Sequence, residues 1–368
     1  MTKRRKRGNN KNPGTNIEQN GKVRKQSNRK ASQALSKLQC EKSQLMLEAV
    51  VMTQHCNTEE TPTQTLVHQT HGFPRPSLLV PRWKEPDEVR LQMLAHDLSF
   101  KHSSNFQKKH PNVLPRMRSI LLDWMMEVCE AYTLHRHTFY LAQDYLDRFM
   151  MTHSDVGKGT LQLVGITCLF IAAKMEETRS PKLSQMVYVT ADTYTKKDVI
   201  QMELIILKHL RWQLSPETPL SWVDFFLQIV TRNPECDLYE RQFSVDLYLQ
   251  ITRLLDLCTL SINAMDYRYE VLAASVLSYF IPQEIIELVT DLPKPLLQPC
   301  INWMAPFAQA SFRFGKEMLK DFGGKTMLDK HTIQTHSQYL HMMDKASEIM
   351  VLCQFPTPPS STEKMSLI

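Results

Sequence analysis

Apolar residues recur with the period of an α-helix almost without interruption from about Trp83 to about residue 352. The linkers between the predicted helices are short, and the whole chain has only 10 glycines among its 368 residues. A β-sandwich, or an α/β enzyme with glycine-rich loops, needs more glycine than this for its turns. The pattern therefore predicts an all-α fold.

A segment with two prolines, residues 215–219, divides the helical stretch into two series. A first helix is predicted over 88–98 and a last one over 330–352. Between them the first series covers 117–132, 136–151, 160–175, 181–189 and 195–210, and the second covers 219–230, 238–260, 267–280, 282–290 and 296–312. Five helices in roughly a hundred residues are typical of one bundle, so two bundles are expected.

The composition outside the helical stretch predicts disorder. Residues 1–84 and 354–368 are polar and proline-containing with few aromatics, so they bury too little apolar surface to offset the entropy of ordering. We therefore expect a disordered N-terminal region, an N-terminal helix with the first bundle over 85–214, the second bundle over 215–328, a C-terminal helix over 329–353 and a disordered tail.

The positive charge of the chain is concentrated at its start. The net charge is +6, but residues 1–30 carry +10 and the other 338 residues carry −4. The folded part is therefore not expected to bind nucleic acid directly. The basic cluster predicts a nuclear import signal that binds an import receptor, although a solvated tail has the same composition. Its residues are Lys3, Arg4, Arg5, Lys6 and Arg7.

Motifs for catalysis and metal binding do not occur. No two of the eight cysteines have C-x-x-C spacing, and the thirteen histidines are scattered. Signatures of zinc proteases, serine hydrolases and EF-hands are missing, and Gly324-Lys325-Thr326 lacks the first glycine of a P-loop. No apolar run is long enough to span a bilayer. The sequence predicts no catalytic residue, metal, cofactor or membrane contact.

The helix that follows Pro115 is apolar on nearly every face. Such a helix either lies at the centre of its bundle or presents one apolar stripe to a partner. Charged residues also occur within or against apolar sequence, where burial without a partner would cost several kcal/mol. We expect these to be paired or at an interface, with exposed helix faces as the alternative; they are Arg118, Asp147, Lys174 and Glu203.

The segment Met117–Trp124 closely resembles the hydrophobic-patch signature of the cyclins. Residues 144–149, 161–165, 172–177 and 202–203 continue the cyclin box in order and at matching spacing, and the resemblance covers about 88–312. Residues 127–136, 202–208, 254–258 and 333–336 are similar to the E-type cyclins. The resemblance implies tandem five-helix cyclin boxes and a non-catalytic subunit that binds and activates a serine/threonine cyclin-dependent kinase, promoting entry into S phase.

The resemblance also implies which residues bind the kinase. Lys174 and Glu203 match positions that contact the kinase around its mobile αC helix and activation segment. Further contact positions are Leu163, Glu177, Leu207 and Leu214. Met175 and Thr178 depart from the family's usual apolar residues. The effect of Met175 should be mild, because a methionine side chain adapts to irregular packing, whereas Thr178 removes apolar area from the interface.

A docking groove for Arg-x-Leu substrates and inhibitors is the second implied site. Apolar residues would receive the leucine, Glu127 the arginine, and Gln162 would bond the peptide backbone. The matching positions are Met117, Ile120, Leu121, Trp124, Glu127, Leu161 and Gln162. Arg118 and Asp147 match a family pair that bridges the first two helices of the box, which we interpret as a structural ion pair.

Three other segments carry further resemblances, two of them in the tails. Thr357, with Ser361 four residues on, resembles an E-type phosphodegron that binds an arginine-lined ubiquitin-ligase receptor when phosphorylated. Thr61 with Thr65 is a weaker copy, for which an ordinary disordered segment is the favoured interpretation. The cluster of Ser221, Trp222 and Gln228 resembles part of a centrosome-targeting segment, but Asp224 departs from it and core packing of Trp222 explains it equally well.

Two other classes of protein compete with this interpretation. A transcription factor with tandem cyclin-like boxes should carry a zinc ribbon and a basic fold, and this chain has neither C-x-x-C nor net positive charge beyond residue 30. An all-α enzyme is disfavoured by the missing catalytic motifs. The residues by themselves predict a nuclear, helical protein that interacts with other proteins. The prediction of a kinase partner depends on the resemblance.

Overall fold

The computed structural model describes residues 86–97, 106–154, 156–232, 245–325 and 330–354, and most of these are helical. The helices are α1 Pro86–Asp97, α2 Phe106–Lys109, α3 Pro115–Ala131, α4 Arg136–Thr152, α5 Leu161–Glu176, α6 Leu183–Tyr188, α7 Lys196–His209, α8 Pro219–Arg232, α9 Val245–Thr259, α10 Tyr269–Leu277, α11 Gln283–Thr290, α12 Lys294–Arg313 and α13 Tyr339–Gln354, with a 3-10 turn at Ile262–Asp266. The predicted all-α fold is confirmed, and most predicted helix bounds agree with the structure within a few residues.

Local chemistry sets several of these helix ends. Pro115 and Pro219 occupy the first positions of α3 and α8, where the missing amide proton costs nothing. The side chains and backbone amides of Thr195 and Asp198 bond each other reciprocally in a capping box at the start of α7. Asp291 ends α11 in the left-handed region at φ 53°.

Each series of helices is built around its third member. In α5 every residue from Leu163 to Ala173 is buried, and in α10 all nine residues are buried. A helix that is apolar on all sides must be enclosed, and α5 packs against α3, α4, α6 and α7. Because α5 fills the centre of the first series, α3 keeps one side free, and Ile120 on that side is 40% exposed.

The two series are joined by the guanidinium group of Arg118. Its Nε and Nη2 donate to both carboxylate oxygens of Asp147, at 2.7 and 2.6 Å, which ties α3 to α4. Its Nη1 donates to the carbonyl oxygen of Thr259 at 3.0 Å, at the end of α9 in the second series. Both charged side chains are buried, so this pair fixes three helices at once.

The carboxylate of Asp256 is a second buried junction, where α4, α9 and the segment before α13 meet. Arg136 donates to it at 2.9 Å, and Gln334 and Tyr339 each donate to it at 2.9 Å. Tyr140 donates to its other oxygen at 2.7 Å. Asp256 is fully buried, and these four donors satisfy its charge.

The last predicted helix, over residues 330–352, begins too early. The structure starts α13 at Tyr339, and residues 331–338 are non-helical, with a turn at 331–332 and a bridge residue at Ile333. Here the backbone of Ile333 forms a β-bridge with His135, and the amide of Gln334 donates to the carbonyl oxygen of Leu134. The backbone groups that would form helical hydrogen bonds therefore bond to residues far away in the sequence. The local pattern of apolar residues does not encode such contacts.

Several predictions fall on residues outside the described ranges. These are the disorder of 1–84 and of 354–368 apart from Gln354, which ends α13, the basic cluster Lys3–Arg7, the phosphosites Thr357 and Ser361 with the weaker copy at Thr61, and the beginning of the helix predicted over 238–260. Among the described helices, none combines the length and the apolar character needed to cross a membrane.

Candidate interaction surfaces

An exposed ion pair joins the C-terminal end of α5 to the middle of α7. The ammonium group of Lys174 bonds the carboxylate of Glu203, and lies 4.3 Å from the ring centroid of Phe170. The side chain of Lys174 is 37% exposed and that of Glu203 is 17% exposed. The aromatic face and the carboxylate together hold the cation in one place on the surface.

Uncovered apolar side chains flank this ion pair. Ile200 is 46% exposed and Leu204 is 51% exposed, and they stand three residues before and one residue after Glu203 on α7. Ile200 neighbours both of the others on the helix surface, since it is three residues from Glu203 and four from Leu204. Apolar side chains beside a fixed charge pair are typical of a protein-binding surface. Sequence reasoning missed Ile200 and Leu204 because an apolar i, i+4 pair equally predicts core packing.

The other predicted kinase-binding residues are less accessible. Leu163 and Leu207 are buried, and Leu214 is half-buried in the linker that precedes α8. The carboxylate of Glu177 accepts hydrogen bonds from the amide and ring of His135, at 2.7 and 2.8 Å, and from the hydroxyl of Thr138 at 2.6 Å. The structure therefore brings only Lys174 and Glu203 together as an exposed pair.

Glu177 and His135 shift each other's protonation. Burial raises the pKa of Glu177, but the hydrogen bonds from His135 and Thr138 outweigh it and hold that pKa below its usual value. The hydrogen bond to Glu177 raises the pKa of His135 against the opposing effect of burial. Each group therefore favours the charged form of the other.

Half-buried and exposed apolar side chains of α3, together with the first turn of α5, form a surface that we call the groove. The side chains of Met117 and Trp124 are half-buried and that of Ile120 is exposed, whereas Leu121 forms the floor. Gly165 of α5 allows the close approach of the two helices, since a Cβ at this position would lie 2.7 Å from Cδ1 of Leu121. From α5, Leu161 is buried and Gln162 is half-buried at the groove. The structure thus brings all seven predicted docking residues onto α3 and the first turn of α5.

An acidic edge borders the groove on α3. Burial raises the pKa of Glu127, and the nearby charge of His336 opposes this. The imidazole Nε2 of His336 lies 3.1 Å from a carboxylate oxygen of Asp123 and 3.8 Å from one of Glu127. Because the imidazole already binds Asp123, we interpret the three side chains as an ion-pair cluster. Sequence reasoning identified Glu127 and included His336 in a segment similar to E-type cyclins, but it did not pair the two residues, which are 209 positions apart.

The described cysteines are not suited to nucleophilic catalysis. Cys129, Cys168, Cys258 and Cys300 are all buried. Burial raises the pKa of each of these thiols above its ordinary value, which disfavours the reactive thiolate.

The residues resembling a centrosome-targeting segment lie on α8. Ser221 and Trp222 are buried, and the indole ring packs against Phe225 and Phe226 with ring centroids 6.0 and 5.6 Å apart. This arrangement supports the core-packing interpretation of Trp222.

Comparisons with known proteins agree with the geometry. The family model of the cyclin N-terminal domain matches residues 89–215. The G1/S-specific cyclin-E1 of Danio rerio is 41% identical over 318 residues, which cover 83% of this chain and 77% of the relative. The chain belongs to the cyclin family, among its E-type members. The G1/S-specific cyclin-E1 of Gallus gallus is also 41% identical, over 81% of this chain and 75% of its own length.

The cyclin fold is supported by a solved structure. An X-ray structure of a viral cyclin from herpesvirus saimiri aligns with a TM-score of 0.50 and 20% identity, covering 61% of this chain and 99% of that one. Cyclins are regulatory subunits of protein kinases and not catalysts themselves. The predictions of the family, of the fold and of a regulatory role are therefore confirmed, and the transcription-factor and enzyme alternatives are not supported.

Proposed function

We propose that this cyclin binds and activates a cyclin-dependent serine/threonine kinase at entry into S phase, through the surface formed by α5 and α7. The observation that carries the proposal is the exposed Lys174–Glu203 pair, flanked by the uncovered apolar side chains of Ile200 and Leu204. A surface of this kind offers both a fixed charge pattern and apolar area to a partner. The G1/S-specific names of its relatives support the stage of the cell cycle.

Activation is a shift between two states of the kinase. A protein kinase is active only when the glutamate of its αC helix pairs with the active-site lysine. A rigid cyclin surface that contacts αC only in its inward position stabilises the active state by its differential affinity. The cyclin needs no catalytic group of its own, because it supplies only binding energy.

Exchange of the charges tests this surface. In the Lys174→Glu, Glu203→Lys double variant the two side chains still attract each other, so the fold should be retained. The charges presented to the kinase are reversed, and we expect kinase co-purification and kinase activity to be lost. The matched control is Lys345→Glu with Glu348→Lys, which reverses another exposed ion pair, on α13. Equal kinase binding by both double variants would refute the assignment.

We propose that the groove between α3 and α5 docks Arg-x-Leu segments of substrates and inhibitors. Met117, Ile120 and Trp124 supply accessible apolar surface above the buried Leu121, and the carboxylate of Glu127 borders it. A leucine side chain suits the apolar floor, and an arginine suits the acidic edge. The groove lies on α3 and the first turn of α5, whereas the Lys174–Glu203 pair joins the last turn of α5 to α7, so the two functions can be separated by mutation.

The Met117→Ala, Trp124→Ala double variant tests docking. Loss of two contact side chains should reduce phosphorylation of Arg-x-Leu substrates by about tenfold or more, while activity on a short peptide without the motif stays unchanged. Leu288→Ala, which truncates a 61% exposed leucine on α11, is the control. Unchanged phosphorylation of Arg-x-Leu substrates by the double variant would count against the groove.

We propose that the N-terminal segment directs the cyclin to the nucleus and that the C-terminal segment marks it for degradation. The basic cluster Lys3–Arg7 suits an import receptor, and phosphorylated Thr357 with Ser361 suits an arginine-lined ubiquitin-ligase receptor. Replacing the five basic residues by alanine should move the protein to the cytoplasm in fluorescence images. Thr357→Ala should lengthen its half-life in a chase experiment, and an unchanged half-life would contradict the degron.

A further inference from the structure

The segment before α13 lies against the acidic edge of the docking groove. The imidazole Nε2 of His336 is 3.1 Å from Oδ1 of Asp123 and 3.8 Å from Oε1 of Glu127. Glu127 is the residue proposed to receive the arginine of a docked peptide. The chain thus already contains a basic side chain at the position that the arginine would take.

The backbone around His336 is held firmly in this place. Its amide donates to the carboxylate of Glu130, and its carbonyl oxygen accepts a hydrogen bond of 2.8 Å from the ammonium of Lys320. Lys320 also binds both carboxylate oxygens of Glu130, at 2.8 and 2.7 Å. The position of the imidazole is therefore set by backbone contacts, and it does not depend on its bond to Asp123 alone.

We propose that His336 occupies the arginine position of the docking groove, and that Asp123 and Glu127 together form that position. This inference rests on the proposed docking function. An incoming Arg-x-Leu segment then competes with His336 for the two carboxylates. The strength of docking is set partly by a residue that is more than 200 positions away in the sequence.

Helical geometry supports the assignment of Asp123. At 100° per residue on α3, Glu127 lies about 20° from Ile120, and Asp123 lies about 40° further round. The two carboxylates are also four residues apart, which puts them one turn apart on neighbouring positions. A guanidinium fork has five N–H donors and can bind both groups at once, whereas an imidazolium has only two.

The charges around His336 determine whether peptide docking becomes tighter or weaker as the pH rises. Asp123, Glu127 and Glu130 on α3 face it, together with Lys320 from the segment after α12 and the ring of Tyr339, 6.2 Å away. Burial lowers the pKa of His336, but the carboxylates outweigh this and raise it. The imidazole is therefore charged and attached to the carboxylates at lower pH. It releases them as the pH rises through its pKa, so docking should tighten with rising pH.

The test measures binding of a fluorescent Arg-x-Leu peptide to the full-length cyclin–kinase complex, at about pH 6 and about pH 8. For the unmodified protein we expect tighter binding at the higher pH. His336→Gln should bind more tightly at the lower pH, by about threefold to tenfold, and lose most of the pH dependence. Asp123→Asn should weaken binding at the higher pH. His341→Gln, on the surface of α13, should leave the profile unchanged.

A permanent charge separates competition from a structural role. His336→Lys keeps a cation in place at both pH values, so it should bind the peptide weakly at both, with the fold checked by circular dichroism. If His336→Gln bound the peptide with the same affinity as the unmodified protein at both pH values, the inference about His336 would be overturned. The proposed docking function would not be affected by this result. A failure of every variant and of the unmodified protein to bind the peptide would overturn the docking function, and the inference with it.

Discussion

Two kinds of ion pair among the described residues of this cyclin differ in burial and in what they join. Arg118–Asp147 and Arg136–Asp256 are almost completely buried, and each is surrounded by further hydrogen-bond donors or acceptors. Lys174–Glu203 lies on the surface and joins two neighbouring helices of one series. The first group holds the two series of helices together, whereas the second is available to a partner.

The comparison shows how one type of interaction serves stability and recognition separately. A buried charge cannot lose its partner without a large cost, because water does not replace the lost contacts. An exposed charge is resolvated at once, so its intramolecular partner contributes little to folding. A residue that matters for partner binding can therefore be changed without loss of the fold, provided that it belongs to the exposed group.

The largest effect is expected at the buried junction. Asp256→Ala leaves the guanidinium of Arg136 buried without its carboxylate and should lower the free energy of unfolding by about 3–5 kcal/mol. Urea denaturation followed by circular dichroism measures this. The matched control is Asp344→Ala, which removes the exposed partner of Arg116 and should change the stability by less than about 1 kcal/mol. Similar losses in both variants would break the distinction between the two groups.

A smaller loss is expected where the groove depends on a glycine. Gly165→Ala puts a methyl group 2.7 Å from Cδ1 of Leu121, so that side chain must move. Overpacking of this kind typically costs about 1–3 kcal/mol. Because Leu121 is the floor of the groove, affinity for an Arg-x-Leu peptide should also fall, while kinase co-purification is retained. Gly159→Ala, which would meet nothing within 4 Å, is the control.

The His135–Glu177 pair should produce a modest dependence of stability on pH. The pKa of Glu177 is lowered by folding, so its contribution is complete above about pH 4.5 and is lost as the pH falls through the folded value. The pKa of His135 is raised, so its contribution is complete below about pH 6.5 and is lost as the pH rises through the folded value. The contribution of the pair is therefore largest between these two pH values.

Solvent exposure limits the size of this pH effect. The side chain of His135 is 35% exposed, so screening should reduce the effect to about 1 kcal/mol or less. Urea denaturation at about pH 5.5 and about pH 8, with His135→Ala as the comparison, measures it. We expect the unmodified protein to lose more stability than the variant as the pH rises from about 5.5 to about 8. If its stability rose more than that of the variant, the predicted sign of the pH effect would be contradicted.

The smallest effect on stability is expected at the exposed pair. Lys174→Ala should change the free energy of unfolding by less than about 0.5 kcal/mol, since its 37% exposed side chain is readily solvated. Kinase affinity should nevertheless fall by about tenfold or more. Calorimetric titration with the kinase, beside Lys345→Ala on α13, measures the difference. Retained affinity would remove Lys174 from the recognition surface, while a large loss of stability would place it among the structural pairs.

The sequence by itself determined the helices, their order and the family. Helical periodicity and proline positions are local signals, so the ends of α3 to α12 could be located to within a few residues, apart from the start of the helix predicted over 238–260, which lies outside the described ranges. The stripe of Met117, Ile120, Leu121 and Trp124 could be recognised because residues three and four apart share a face of a helix. For the helix after Pro115 the sequence left a central and a partner-facing placement open, and the structure buries Leu163–Ala173 of α5 at the centre while Ile120 of α3 stays exposed.

Only the tertiary structure decided what the isolated polar residues do. Asp256 binds Arg136, Gln334 and Tyr339 across 78 to 120 residues of chain, and His336 reaches Asp123 across 213. A local pattern does not contain such pairings, because they depend on how packed helices bring distant segments together. For the same reason the segment before Tyr339 is non-helical although its pattern is helical, because its backbone bonds to His135 and Leu134 instead of forming a first helical turn.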